Sequence, residues 1–206
     1  MLGIYNYTVI LTYIGMLAGF TGITFAAKGN IHASLICLMI AGVCDMFDGK
    51  IASTMQRTSQ EKRFGIQIDS LSDLICFGVL PAMIISMHPH ISTLGGIVAA
   101  LYLLCALIRL AWFNVDEEER QNKCDGARKV YYGLPVTSSA LIIPIVFGAG
   151  LLYQWPLGVL GPICLLIMAL AFLTPFPIKK PRLIGKIGLI FLGGIELAVL
   201  LLGRKI

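Results

Sequence analysis

Four aspartates lie in two pairs on apolar, helix-forming sequence, and these side chains are the ones best suited to chemistry in this chain. Asp45 and Asp48 are three residues apart, and Asp69 and Asp73 are four apart. Residues at these spacings share one face of a helix. Carboxylates at a bilayer boundary are costly unless something offsets their charge, so such a cluster indicates a functional site.

The connection between the two pairs is long enough to return the chain as an antiparallel neighbour, so the pairs could face each other. Four carboxylates that close repel, and some would take up protons unless a cation lay between them. Oxygen ligands suit Mg²⁺, Mn²⁺ or Ca²⁺ rather than zinc. Small residues beside the carboxylates leave room for a ligand near the backbone, namely Gly49, Ala52 and Gly65. The pattern predicts a metal-bound phosphate site. Helix capping, the alternative, explains at most one aspartate per helix end.

The complete pattern combines the aspartates with small residues at fixed spacing, Asp45-x-x-Asp48-Gly49-x-x-Ala52 and then Gly65-x-x-x-Asp69-x-x-x-Asp73. It resembles the signature of the CDP-alcohol phosphotransferase family of integral membrane enzymes. The resemblance implies transfer of a phosphatidyl group from CDP-diacylglycerol to an alcohol, with release of CMP. It also implies a homodimer.

The resemblance assigns roles to the four aspartates. Asp45, Asp48 and Asp69 would be the principal ligands of a divalent cation, Mg²⁺ or Mn²⁺, with Ca²⁺ as a non-productive occupant. Asp73 would be a further ligand and the general base that accepts the alcohol's proton. A carboxylate near a cation has a lowered pKa, so Asp73 should be ionised at neutral pH.

One position departs from the family pattern, because Ser53 stands where an arginine usually follows the alanine. Arg57 or Arg63 could take over the contact with the nucleotide diphosphate. The predicted CDP-lipid site therefore consists of small, polar and basic residues on both sides of the connection: Gly49, Ala52, Ser53, Arg57, Arg63 and Gly65.

Two later stretches bear on the alcohol, Arg109-Leu-Ala-Trp-Phe-Asn114 and Tyr132-Gly-Leu-Pro-Val-Thr137. They resemble the corresponding stretches of bacterial and archaeal family members that use L-serine, which implies L-serine as the acceptor. Arg109 could pair with the serine carboxylate, or it could snorkel or bind a lipid phosphate. Asn114 could hydrogen-bond the acceptor or cap a helix end.

The composition predicts a membrane protein that must position these residues. Of 206 residues, 57% are hydrophobic and 13% are charged, whereas soluble domains are about 25% charged. Repeated apolar runs of about 20 residues predict an all-α, polytopic membrane helix bundle with about seven transmembrane helices, within a range of about six to eight. We expect one domain over residues 1–206, with a catalytic core at 8–140 and additional transmembrane helices at 141–206.

Polar segments divide the apolar runs. The predicted spans are 8–27, 31–54, 64–87, 91–114, 135–153, 157–174 and 184–202. Residues 115–132 are predicted to form a polar loop. The triplet His88-Pro89-His90 could bind a metal, but it lies at the opposite end of its span from the carboxylates. An interfacial turn broken by proline is the favoured interpretation.

The distribution of basic residues predicts the orientation. Eleven Lys and Arg residues lie in loops on the carboxylate side, and three lie on the other side. By the positive-inside rule, the site faces the cytoplasm from the cell (inner) membrane, among the membrane lipids. The net charge of +5 is carried mainly by these short loops, which indicates orientation rather than nucleic-acid binding. The six cysteines form no C-x-x-C pair, so neither a disulfide framework nor a zinc site is indicated.

Two other functions remain open from the sequence. A family member could use another acceptor, such as glycerol 3-phosphate or inositol phosphate, although these anionic alcohols should require a denser basic pocket. A cation transporter or channel would spread carboxylates through the membrane thickness. Here they cluster at one end of two spans, and only Glu196 lies deep in another.

Overall fold

The structure is a computed structural model that describes residues 3–123, 130–179, 188 and 192–198. The described chain is predominantly helical. Seven α-helices follow one another: α1 Tyr7–Ala27, α2 Ile31–Ala52, α3 Ser59–Asp73, α4 Leu80–Ser86, α5 Thr93–Lys123, α6 Ser139–Tyr153 and α7 Leu157–Leu173. A π-helical segment, Leu74–Val79, joins α3 to α4 without a break, so residues 59–86 form one long helical span. A short 3₁₀ turn, Val136–Ser138, leads into α6.

Side-chain caps explain where the first three helices begin. The Asn6 side chain accepts a hydrogen bond from the Thr8 amide in α1, and Asn30 accepts one from Ala33 in α2. At the start of α3, Thr58 and Glu61 cap each other's backbone amides. Such caps satisfy amides that have no partner within the helix. The caps at Asn30 and Thr58 therefore set where the connections before and after α2 end.

The described part of the chain confirms the predicted membrane helix bundle. Four helical spans are long and apolar enough to cross a bilayer: Tyr7–Ala27, Ile31–Ala52, Ser59–Ser86 and Thr93–Arg120. Two shorter apolar helices, Val136–Gly150 and Leu157–Leu173, follow. The predicted seventh span falls mainly outside the described residues, although residues 192–198 are helical.

One predicted loop is wrong in its first half. Residues 115–123 continue α5 as a helix instead of beginning a loop. Glu, Gln, Arg and Lys are good helix formers, and an ion pair between Glu117 and Arg120 at i,i+3 adds support, with 3.0 Å between Arg120 Nε and Glu117 Oε2. The acidic run therefore extends a membrane-crossing helix into solvent.

A short β-ribbon was not predicted. Strand β1, Val130–Tyr132, pairs antiparallel with β2, Pro177–Lys179. The Gly133 amide donates to Phe176 O at 2.8 Å and extends the pairing. Gly133 has a φ of +76°, and a Cβ there would lie 3.0 Å from two carbonyl oxygens, so this close crossing requires glycine. The ribbon ties the chain before α6 to the chain after α7.

The His88-Pro89-His90 triplet lies in the turn between α4 and α5, as the sequence predicts. The His88 ring packs edge-on against Phe147, with ring centroids 6.2 Å apart. Burial, and next the neighbouring His90, lower the pKa of His88 below its usual value. Among the described residues, the side chains grouped closely enough to hold a metal are aspartates, and neither histidine belongs to that group.

One buried cluster forms the core between the helices. Its largest fully buried side chains include Tyr102, Phe77, Leu80, Ile84 and Leu38. Helix α1 packs against α2 and the α3–α4 span, and α5 packs against α7 and α4. Large apolar side chains on the outer faces are exposed, as expected for helices surrounded by lipid.

Candidate active site

The aspartates of α2 and α3 come together where the two helices approach the connection between them. Asp45, Asp48 and Asp69 each offer an oxygen, and these oxygens all lie within 4.8 Å of one another. The spacing places Asp45 and Asp48 on one face of α2, and the reversal at residues 53–58 turns α3 back towards that face. The two predicted pairs therefore face each other at one end of the bundle.

Asp73 lines the same cavity but lies one turn further along α3, outside the group of three oxygens. The cavity walls come from α1, α2 and the α3–π span, and small or polar residues predominate. Besides the four aspartates, the walls consist of Thr12, Gly15, Ala41, Cys44, Ser72, Cys76 and Phe77. One carboxylate thus stands apart from three that converge.

Thr12 is a site residue that the sequence reasoning missed. Its hydroxyl donates to Asp48 Oδ2 at 3.3 Å, and its carbonyl accepts from the Ser72 hydroxyl at 3.5 Å. Thr12 thereby links α1 to both aspartate-bearing helices. Its spacing places it on the same helix face as Gly15, three residues later, but that spacing does not indicate a contact with Asp48.

Glycines let α1 pack directly over the site. A Cβ on Gly15 would lie 3.1 Å from Cys44 Cβ, and one on Gly19 would lie 2.5 Å from Cys76 Sγ and 3.2 Å from Cys76 Cα. The Cys76 thiol donates to Gly15 O at 3.3 Å. Close approach through small residues at i,i+4 is a packing mode of membrane helices. It brings Thr12 within reach of Asp48.

The connection after α2 places Arg57 beside α3. A Cβ on Gly65 would lie 3.2 Å from Arg57 Nη1, so the absence of a side chain at 65 makes room for this guanidinium. Gly49 faces open space, because a Cβ added there would have no contact within 4 Å from the described residues beyond its own helix. The backbone at Gly49, next to Asp48, is therefore accessible, whereas Arg57 covers the backbone at Gly65.

The remaining residues predicted for the CDP-lipid are more peripheral. Ala52 is the last residue of α2, and the Ser53 hydroxyl donates to Lys50 O at 2.6 Å. Arg63 is exposed on α3. Ser53 stands where the family pattern has an arginine. Its hydroxyl thus bonds to a carbonyl in the last turn of its own helix.

The segment before α1 is joined to the same connection. Asn6 Nδ2 donates to Glu61 Oε1 at 3.0 Å, and the Tyr7 hydroxyl lies 3.2 Å from the Thr54 hydroxyl. Neither contact was predicted from the sequence. They brace the connection that carries Arg57 against the start of the bundle.

The structure places Arg109 and Asn114 differently from each other. Arg109 is 8% exposed; its Nη2 donates to Tyr132 O at 2.6 Å, and its guanidinium lies 5.7 Å from the centre of the Phe113 ring. Asn114 Oδ1 accepts a 2.7 Å hydrogen bond from the hydroxyl of Ser70. Ser70 follows Asp69 directly, so Asn114 is connected to the aspartate helix. Arg109 anchors the chain before α6.

The donor set suits a hard divalent cation. Three carboxylates from two helices converge within the spacing that a shared ion requires, and an all-oxygen set is what Mg²⁺ and Mn²⁺ prefer. Two charges of the same sign this close are unfavourable without a cation or a proton. Asp45, Asp48 and Asp69 therefore fit the role of ligands, and the cavity leaves the Asp73 carboxylate beside the place where the ion would bind.

Comparisons with known proteins agree with this arrangement. The chain is similar to the CDP-diacylglycerol–serine O-phosphatidyltransferase of Mycobacterium leprae, with 31% identity over 147 residues, 68% of this chain and 48% of that protein. The Saccharomyces cerevisiae protein of the same name is 33% identical over 66% of this chain and 52% of its own length. An archaetidylserine synthase of Methanothermobacter thermautotrophicus is 31% identical over 68% of this chain and 57% of its own length. The chain thus spans about half the length of the curated relatives it matches.

The family model described as CDP-alcohol phosphatidyltransferase matches residues 5–176, which include every helix from α1 to α7 and the whole aspartate cluster. The chain is an integral membrane protein of the CDP-alcohol phosphatidyltransferase family.

Proposed function

We propose that this protein transfers the phosphatidyl group of CDP-diacylglycerol to L-serine, giving phosphatidylserine and CMP. The observation that carries the proposal is the convergence of oxygens from Asp45, Asp48 and Asp69, with Asp73 in the same cavity. The family match and the names of the relatives support the reaction class and the acceptor.

In this proposal the three converging aspartates hold a divalent cation, Mg²⁺ or Mn²⁺. A cation bound there would neutralise the diphosphate and the charge that develops on the departing CMP. Asp73 accepts the proton of the serine hydroxyl as its oxygen forms a bond to the phosphorus that carries the lipid. The phosphorus–oxygen bond to CMP breaks, and CMP leaves with that electron pair. A base within hydrogen-bond reach of the hydroxyl contributes about 10² to 10⁴ in rate.

The CDP-lipid would bind along the accessible backbone next to the cluster. Gly49 leaves space for the diphosphate, and Arg57 lies over Gly65, whose missing side chain makes room for the guanidinium. Guanidinium groups pair well with phosphate oxygens. We include Ala52, Ser53 and Arg63 in this site, at its outer edge. The acyl chains then remain in the hydrocarbon beside α1 and α2.

The acceptor side of the proposal concerns Arg109 and Asn114. The bond between Ser70 and Asn114 connects Asn114 to the aspartate helix, which supports a contact between its amide and the acceptor. Arg109 would pair with the serine carboxylate while its bond to Tyr132 O fixes the direction of the guanidinium. A planar group held in this way loses little freedom when it binds a carboxylate.

The test of the activity is to incubate purified protein with CDP-diacylglycerol, Mg²⁺ or Mn²⁺, and a panel of alcohols, and to measure CMP release. We expect release with L-serine that exceeds release with glycerol 3-phosphate or inositol phosphate. Release with one of those anionic alcohols alone would assign another acceptor. No release with any alcohol and either metal would refute the proposed reaction.

The acceptor assignment has its own variant. Arg109→Ala should raise the KM for serine at least about tenfold, the loss of one charge-assisted pair, while the KM for CDP-diacylglycerol changes less than about twofold. Glu118→Gln, an exposed charge change on the same helix, is the matched control. Equal changes in both KM values would show that Arg109 does not contact the acceptor.

We also propose that the site faces the cytoplasm from the inner membrane and that the protein is a homodimer. The excess of basic residues in loops on the site's side supports the orientation. Lys62 is exposed beside the site. A Lys62→Cys variant should react with a membrane-impermeant maleimide only after cells are opened; reaction in intact cells would reverse the orientation. Cross-linking in membranes should give a dimer, and a monomer at all cross-linker concentrations would contradict it.

A further inference from the structure

The backbone carbonyl of Phe77 lies at an irregular point of the third span. Residues 74–79 are π-helical, and Pro81 follows two residues later. The Leu80 amide donates to Ile75 O, five residues before it, as a π-helix requires. Proline has no amide hydrogen, so Pro81 donates neither to Cys76 O at that spacing nor to Phe77 O at the α-helical spacing of four residues. In a membrane interior, a carbonyl that loses its helical donor must find another partner. Pro81 thus removes one backbone donor from this part of the span, one turn after Asp73.

Two hydroxyl groups from other helices reach this carbonyl. Tyr102 on α5 donates to Phe77 O at 2.6 Å, and Ser139 at the start of α6 donates to it at 3.2 Å. Tyr102 and Ser139 are fully buried, and Phe77 is 1% exposed. A carbonyl oxygen has two lone pairs, so it can accept both bonds. Three helices are therefore joined at a single oxygen.

This junction lies next to the proposed general base. Asp73 and Phe77 are four residues apart in one continuous helical span, and both side chains line the aspartate cavity. The π-helical segment begins at Leu74, directly after Asp73. Single π turns inside α-helices frequently occur at functional sites. The direction in which Asp73 enters the cavity therefore depends on how the next turn is held.

We propose that Tyr102 and Ser139 are positioning residues, which hold the π-helical turn through Phe77 O and so place the Asp73 carboxylate for proton transfer. The inference rests on the proposed function, since it assumes that Asp73 accepts a proton during turnover. The three converging aspartates lie outside this turn, so we expect the two hydroxyls to affect turnover more than metal binding.

The structure also determines how the effect should combine. When one hydroxyl is removed, the other still donates to the carbonyl. When both are removed, the carbonyl has lost both side-chain donors, and an unsatisfied buried acceptor is much more costly than a missing second bond. We therefore expect kcat to fall about threefold in Tyr102→Phe and in Ser139→Ala, and about 100-fold in the double variant, since a displacement of about 1 Å can cost that much in rate. The loss in the double variant should thus exceed about ninefold, the product of the two single losses.

The experiment measures kcat and the KM for CDP-diacylglycerol by CMP release, and Mn²⁺ affinity by electron paramagnetic resonance, for both single variants and the double variant. Ser34→Ala is the matched control. Its buried hydroxyl also donates across helices to a backbone carbonyl, Gly22 O at 2.9 Å, but it lies eleven residues before Asp45 on α2. We expect less than a twofold change in kcat for this control. KM and Mn²⁺ affinity should stay within about twofold in all four proteins.

Pro81→Ala provides a second test. The alanine amide restores a backbone donor at this turn and reaches Phe77 O where the turn takes up the α-helical spacing of four residues. Adding Tyr102→Phe in this background should then lower kcat less than it does in the wild-type background. If the double variant does not fold, the two single variants and the Pro81→Ala background still test whether Tyr102 and Ser139 position Asp73.

Three results would overturn the inference. One is a kcat in the Tyr102→Phe and Ser139→Ala variants that matches Ser34→Ala. Another is a loss of Mn²⁺ affinity as large as the loss of kcat, which would show general unfolding. The third is an equal effect of Tyr102→Phe in both backgrounds. A wild-type protein that releases no CMP with any alcohol would instead refute the proposed function, so the two failures are distinguishable.

Discussion

Asp48 offers the sharpest test of cation binding, because removing its charge should change stability in opposite directions without and with metal. Its oxygens and those of Asp45 and Asp69 lie within 4.8 Å. Two unit charges at 4.8 Å repel by about 3.5 kcal/mol at an effective dielectric constant of about 20. Asp48 takes part in two of the three pairs, so its charge accounts for repulsion on the order of 7 kcal/mol before screening.

Screening by water and salt, and proton uptake by the neighbouring carboxylates, remove most of this repulsion, and we expect Asp48→Asn to stabilise the metal-free protein by about 1–2 kcal/mol. For a chain of this size that raises the midpoint of thermal unfolding by about 2–8 °C. Asparagine keeps the shape of the side chain and an oxygen that accepts the bond from Thr12.

With metal the order should reverse. At a Mn²⁺ concentration about 100 times the dissociation constant, binding stabilises the wild-type protein by about 2.7 kcal/mol. If the variant binds about 100-fold more weakly, the same concentration stabilises it by only about 0.4 kcal/mol. The wild-type midpoint should then rise by about 5–11 °C, and that of Asp48→Asn by about 1–2 °C.

The assay is thermal unfolding in detergent, once in EDTA and once in Mn²⁺, with Glu118→Gln as the control for loss of an exposed carboxylate. The control should follow the wild type in both conditions. A midpoint for Asp48→Asn that falls in EDTA, together with a full Mn²⁺ response, would refute the shared cation site.

Three further predictions concern other parts of the site. Asp73→Asn should lower turnover about 10² to 10⁴-fold with Mn²⁺ and CDP-lipid binding retained; near-normal turnover would exclude it as the base. Gly19→Ala should destabilise the protein by about 1–3 kcal/mol, because its Cβ would lie 2.5 Å from Cys76 Sγ, and an unchanged unfolding midpoint would contradict that packing. Arg57→Ala should raise the KM for CDP-diacylglycerol about tenfold, and Gly65→Ala, whose Cβ would lie 3.2 Å from Arg57 Nη1, should raise it less. Unchanged KM values in both would remove Arg57 from the lipid site.

The sequence predicted the parts of this protein that depend on local periodicity. The spacing of Asp45, Asp48 and Asp69 defines helix faces, and short connections make neighbouring helices antiparallel, so the convergence of these oxygens followed from two simple rules. Apolar run length likewise predicted the membrane bundle, and the family resemblance was confirmed by the match over residues 5–176.

Contacts between distant segments could not be predicted in this way. The pairing of Tyr131 with Ile178 joins residues far apart in the chain, and nothing in either three-residue strand specifies its partner. The bonds of Tyr102 and Ser139 to Phe77 O depend on the rotation of three helices at once. Pro81 signalled a missing donor, but the sequence does not say which side chain would replace it.

The end of α5 could not be predicted from the sequence for a different reason. A charged run after an apolar span is compatible with a loop or with a helix that continues into water, because Glu117 and Arg120 favour helix while the loss of hydrophobicity indicates the membrane edge. Composition marks where the bilayer ends and says little about where the helix ends.

The β-ribbon has a consequence for how this protein enters the membrane. Because β1 and β2 pair and Gly133 N bonds to Phe176 O, the two ends of the α6–α7 hairpin are fastened to each other. We expect both ends to remain on one side of the bilayer and the turn at Gln154-Trp155-Pro156 to be carried across during insertion, with neither helix left behind in the opposite orientation. A translocation defect in that turn would leave the ribbon unable to close, so the hairpin should be integrated as a pair or not at all.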